Sequence, residues 1–146
     1  MSNYSKGIIS IPEVTGNIVI TVTTEGQAVN LFDPSKASYN QRLNSSGQLK
    51  SGPGIVATGP IDVRSLNTLT VDGITEVKST GYGYYACMCA YSDPAGTTIS
   101  GTNTTYKNEQ YTFDVSSASY VRLGLVLKDN VSISEADTAN LTIYGS

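Results

Sequence analysis

The chain has 146 residues, enough for one domain whose hydrophobic core needs neither metal nor disulfide to hold it. Nine Lys and Arg against 12 Asp and Glu give a net charge of −3, and no basic run is present, which disfavours nucleic-acid phosphates and anionic lipid surfaces as partners. There is no histidine, which removes the commonest general base, the Ser-His-Asp triad and most zinc sites together.

Charged residues make up 14% of the chain while Ser and Thr make up about a quarter, so the surface is built from hydroxyls and amides. Thr, Val, Ile and Tyr fit a pleated, half-buried surface and Gly supplies turns, so strands are expected throughout. At the N-terminus, residues 7–11 and 17–23 are two short apolar runs joined by Pro12-Glu13-Val14-Thr15-Gly16, the pattern of a β-hairpin. The polar stretch 24–30 marks a boundary, which gives a docking segment at 1–29 and a main body at 30–146. The opening Met1-Ser2-Asn3-Tyr4-Ser5-Lys6 lacks the apolar stretch of a signal peptide, and no apolar run reaches the length of a membrane span.

Asp33-Pro34-Ser35-Lys36-Ala37 has the chemistry of a single helical turn, and Asn44 to Gly54 reads as an exposed Ser/Gly/Pro loop entered from Arg42 and Leu43. From residue 55 onward, strands alternate with turns at spacings of roughly ten residues, the spacing of an antiparallel β-sandwich. Ile61 and Val63, Leu69 and Val71, then Tyr111, Phe113 and Val115 each alternate with polar neighbours. Val121, Leu123, Leu125 and Leu127 form the clearest one-sided strand. Ser134-Glu135-Ala136-Asp137 suits a helical turn ahead of a last strand at Leu141 and Ile143.

Residues 82–91, Tyr-Gly-Tyr-Tyr-Ala-Cys-Met-Cys-Ala-Tyr, are apolar on both faces. Only one face of a sandwich strand meets the core, so the other needs a cover, either the N-terminal hairpin or another subunit. Cys87 and Cys89 point to one face about 6 to 7 Å apart along the strand. A mutual disulfide would distort it, so both are expected as small buried hydrophobes. The Gly/Thr/Asn-rich loop 92–105 is long and placed where binding loops sit.

Paired carboxylates for glycosidic hydrolysis have candidates in Glu76, Glu109 and Asp93, without a motif joining them. Asp93, Asp129 and Asn130 are candidate calcium ligands, against the plainer role of turn residues that bond their own backbone. No catalytic residue, metal ligand or cofactor is assigned. Tyrosine is the remaining candidate for ligand contact, because its ring stacks on a sugar while its hydroxyl bonds to it. Tyr82, Tyr85, Tyr91 and Tyr106, with Asn103, flank the long loop and form the candidate glycan site, against the alternative of packing.

Two sets of residues carry a resemblance. The run 9–22, Ile-Ser-Ile-Pro-Glu-Val-Thr-Gly-Asn-Ile-Val-Ile-Thr-Val, resembles the closing hairpin of tail and baseplate proteins from phages that infect Firmicutes. Asn30-Leu31-Phe32-Asp33-Pro34, Arg42-Leu43-Asn44-Ser45-Ser46-Gly47, Thr58-Gly59-Pro60-Ile61-Asp62-Val63 and Tyr120-Val121-Arg122-Leu123 resemble a jelly-roll module of the same proteins. The resemblance covers most of the chain. It implies an all-β, galactose-binding-like jelly roll with an N-terminal β-hairpin on a phage tail, fibre or capsid surface. The implied partners are other virion proteins, further copies of the chain with a trimer favoured, and a host-surface glycan. The competing class is a carbohydrate-binding module of a secreted bacterial protein.

Overall fold

The computed structural model describes residues 29–74, 81–100 and 103–146. The expected N-terminal hairpin and Glu76 lie outside the described residues. Nine strands are described: β1 (Ser38–Leu43), β2 (Leu49–Ala57), β3 (Ile61–Asp62), β4 (Thr68–Asp72), β5 (Ala86–Tyr91), β6 (Thr104–Tyr106), β7 (Thr112–Asp114), β8 (Tyr120–Val126) and β9 (Thr142–Gly145). They pair antiparallel in two sheets, one in the order β1-β2-β8-β5-β6 with β3 also on β8, the other in the order β7-β4-β9. The protein is an antiparallel β-sandwich, as the alternation predicts.

The main core lies between the sheets, where Val56, Leu69, Val71, Phe113, Val121, Leu123, Leu125 and Ile143 meet. Period-two alternation accounts for this directly, because it turns every second side chain of β4, β7, β8 and β9 inward. Tyr106 closes one flank, its ring packed edge-on against Phe113 at 4.9 Å between centroids. Ahead of β9 stands a 3-10 turn, Glu135–Thr138, started by the Ser134 N–H, which donates to the Asp137 carboxylate at 2.8 Å. At Asp33, the carboxylate accepts the Ser35 N–H and hydroxyl, and the chain makes one turn through residue 36.

Side-chain amides join segments that the sheets leave apart. Asn30 Oδ1 accepts the N–H groups of Phe32 and Ile143, and its Nδ2 donates to Leu141 O, fixing the entering chain along β9. Asn40 Oδ1 accepts the Gly54 and Ile133 N–H groups, and its Nδ2 donates to Ile133 O. Each amide serves as a portable peptide group, satisfying backbone donors and acceptors that have no ladder partner.

The second face of β5 is covered in a way the sequence pattern does not reveal. Residues 44–54, expected as an exposed loop, are instead a tight turn at 44–48 followed by most of β2. β2 joins β8 only through Ile55–Ala57, where Ile55 stands opposite Val126. The rest of the β1–β2 ribbon folds back across the outer face of the large sheet, and its tip reaches Tyr91 at the far end of β5. Two left-handed residues allow the fold-back: Asn40 at φ 59°, where the β1–β2 register shifts, and Gly54 at φ 90°. A Cβ on Gly54 would collide with the Lys128 carbonyl, so only glycine fits that corner.

Candidate functional site

Under the ribbon lies a second, smaller core of Leu43, Ala57, Cys87, Cys89 and Tyr91, flanked by Leu49, Tyr84, Ile99 and Tyr120. Both cysteines are free and fully buried, as the spacing predicts. Gly124 makes room for them: a Cβ there would stand 2.7 Å from Cys87 Sγ. Burial pushes the Cys87 thiol above its ordinary range, against opposing hydrogen bonds from Asn103 and from the backbone at Gly124 and Leu43. Burial likewise pushes Cys89 up to about 12. Both are therefore protonated and unreactive at neutral pH while the ribbon is closed.

Two members of the expected glycan site are parts of this structure. Tyr91 is 1% exposed and donates its hydroxyl to Gly47 O at 2.8 Å, so its ring is core, not platform. Asn103 Nδ2 donates to Leu43 O at 2.8 Å and to Asn44 O at 3.2 Å, latching the ribbon. Its Oδ1 is buried without an N–H or O–H donor. Tyr106 is engaged with Phe113, while Tyr85 is half-buried at the start of β5 and its N–H donates to Tyr106 O. Tyr82 stands in a turn ahead of β5. It is half-buried, donates its hydroxyl to Pro53 O at 2.6 Å, and lies 6.3 Å from the Tyr84 ring at a tilt of 42°. β5 begins only at Ala86: Gly81 and Tyr82 lie in a turn, and Gly83 takes a left-handed φ of 78°. The candidate site of five residues thus divides into two latch residues, Tyr91 and Asn103, one ring packed on the main core, Tyr106, and two half-buried rings, Tyr82 and Tyr85.

The acidic candidates do not converge. Asp93 is spent on its own loop, accepting the N–H groups of Thr97 and Thr98 and the Thr97 hydroxyl at 2.6 Å, which holds its carboxyl below the usual range. This is the turn role the sequence offered as the plain alternative. Asp129 accepts the Gly81 N–H at 2.7 Å, and Glu109 is exposed. Among the described residues no three His, Cys, Asp or Glu side chains group as metal ligands.

Shallow clefts open between the described residues. One of about 450 Å³ lies between Asn30, Phe32 and Pro34 on one side and Glu135, Thr138 and Leu141 on the other. A second, about 300 Å³, is lined by Val29, Leu31, Asp62, Ser65, Leu66 and Gly145. Beside the second, Arg64 forks onto Asp62 at 2.8 Å and stacks over the Tyr120 ring at 5.1 Å.

Comparison with family models, curated proteins and solved structures yields no match. What the chain does is therefore argued from its residues. The pattern that sequence reasoning passed over is the pairing of Arg42, at the entry to the stretch that reads as a loop, with Lys50 inside it.

Proposed function

We propose that this chain is a virion surface protein of a bacteriophage, working by contact and without catalytic turnover. It docks on other particle proteins, assembles with further copies of itself, a trimer being the favoured form, and presents its loops to a host-surface glycan. The observation that carries the reading is the position of the residues behind the resemblance. Asn30 to Pro34 tie the entering chain to β9, and Arg42 to Gly47 form the tip of the ribbon. Thr58 and the 120–123 strand lock to each other: the Leu123 N–H donates to Thr58 Oγ1 at 3.0 Å, and Arg122 Nε donates to Thr58 O at 2.9 Å. Motifs that in sequence are turn and strand signatures here occupy the joints of one sandwich, which is what a shared module requires.

The finer architecture in this reading is a galactose-binding-like jelly roll. Its support is the crossing order of the strands: β8 sits between β2 and β5, and β9 beside β4, so successive strands pass between the sheets. Immunogold labelling of intact particles together with light scattering of the purified chain tests the role. Label on the particle surface and a stable multimer are the expected results. A particle without label, or turnover of a polysaccharide by the purified chain, overturns it.

A further inference from the structure

The alternation that builds the core also fixes the outer face of the small sheet. β4, β7 and β9 turn Leu69, Val71, Phe113 and Ile143 into the core, so the residues between them face outward. The register sets these side by side: Thr112 and Tyr144 stand opposite Thr70 from its two sides, Thr142 opposite Asp72, and Asp114 opposite Thr68. These positions hold threonine hydroxyls, the Asp72 and Asp114 carboxylates and the Tyr144 ring, with no Lys or Arg among them.

Tyr144 takes part in neither hydrophobic core, so packing does not account for a ring at this position. Its hydroxyl donates to Asp72 Oδ2 at 2.8 Å, running from the place opposite Thr70 to the residue two further along β4. Such a diagonal reach lays the side chain along the sheet, and the hydrogen bond holds it there. Asp72 is exposed, and among the described residues its second oxygen, Oδ1, accepts no hydrogen bond. Thr68 is tied to Ser146 and Asp114 to Ser116, whereas the hydroxyls of Thr70, Thr112 and Thr142 have no partner among the described residues.

A tethered ring beside an open carboxylate oxygen and unpaired hydroxyls complements a sugar, which has an apolar C–H face and a rim of hydroxyls. Two carboxylates without a cation repel an anionic chain and so favour a neutral one. We infer that the outer face of the β7-β4-β9 sheet, centred on Tyr144 and Asp72, binds a neutral saccharide chain. The ring takes the apolar face of one sugar residue, Asp72 Oδ1 accepts from its hydroxyls, and Thr70 and Thr112 meet the residue beside it. This rests on the glycan-contact part of the proposed function and adds a site outside the loops and a chemical class.

The test is calorimetric titration of the full chain with neutral polymers of three hexoses, mannan, galactan and laminarin (a glucan), against oligogalacturonate as the anionic sugar. Binding to at least one neutral polymer, insensitive to salt, is expected. Tyr144→Ser should weaken it by about tenfold or more, with the fold checked by circular dichroism, whereas Arg64→Gln leaves it unchanged. Tyr144→Phe, which keeps the ring and loses the tether, should fall between wild type and Tyr144→Ser, and Asp72→Asn should also bind more weakly than wild type. Should Tyr144→Ser fail to fold, these two variants carry the test, and wild-type affinity in both overturns the inference. Tighter binding of oligogalacturonate than of every neutral polymer, or an unchanged affinity in folded Tyr144→Ser, overturns it while leaving glycan contact standing. Absence of binding to all four saccharides rejects both this inference and the glycan part of the proposed function.

Discussion

The ribbon over the second core opens as a unit if its closure rests on few bonds, and the two buried cysteines report its opening. The latch is the Tyr91 hydroxyl on Gly47 O and the Asn103 amide on Leu43 O and Asn44 O, with Leu43 as the buried apolar anchor. Tyr91→Phe keeps the ring in place and removes one hydroxyl, leaving the Gly47 carbonyl without that partner in a buried corner. An unsatisfied buried acceptor costs about 1 to 3 kcal/mol, which raises the open population roughly 5- to 150-fold. The assay is the rate at which a disulfide reagent labels Cys87 and Cys89 without denaturant. Both are fully buried in the closed form, so labelling proceeds through the open one, and its rate follows the open population. The variant should label faster by that factor, with the pH profile of an ordinary thiol rather than of a group held at about 12, the closed-form value for Cys89. Labelling unchanged within about twofold would refute the latch assigned to Tyr91. Wild-type labelling whose denaturant dependence equals that of global unfolding would refute the ribbon as a separate unit.

Other expectations follow from the same contacts. Gly54→Ala places a side chain at φ 90° against the Lys128 carbonyl and should lower stability by roughly 3 kcal/mol or more, read from the urea midpoint. Asn30→Ala strips the buried Ile143 N–H of its acceptor and leaves the Leu31 N–H on Ile143 O as the backbone tie of the entering chain to β9. The expected cost is about 2 kcal/mol in a thermal melt, and a change near zero would remove Asn30 from the framework. Asp62, its carboxyl held at about 2 chiefly by the hydrogen bond from the Arg64 guanidinium, should return toward 3.8 in Arg64→Ala, followed by NMR titration. Asp33, Asp93, Asp114 and Asp137 are also held below 3.8 by hydrogen bonds in their turns. A lowered folded value means that the stabilisation is complete above the ordinary carboxylate range and drains as pH falls toward the folded values, so the melting temperature should drop in that window. A melting temperature flat from neutral pH to pH 2 would contradict these assignments.

Much of the sandwich was legible because its signals are local. Val121, Leu123 and Leu125 alternate over a single strand, Ser134 and Asp137 lie three residues apart, and the spacing of the two cysteines alone argues against a bridge between them. The candidate site was read less well because its decisive contacts are remote. Tyr91 is identical in pattern to a tyrosine at any strand end, and what buries it is a carbonyl 44 residues away. Asn103 lies in a Gly/Thr-rich loop that suits a binding role, yet its amide holds carbonyls 59 and 60 residues distant. The fold-back that brings these together depends on Asn40 and Gly54 adopting left-handed backbone, and neither residue type announces that conformation within a stretch rich in both.

The unusual composition then acquires a structural reason that bears on function. A chain with few charges cannot rely on ion pairs, and here Asn30, Asn40 and Asn103 join backbone segments that the two sheets leave unpaired, at separations reaching 113 residues. An amide committed in this way is unavailable to a ligand, so abundance of Asn, Ser and Thr is a poor guide to a sugar site in this fold. The groups free to recognise something are the ones the framework does not use.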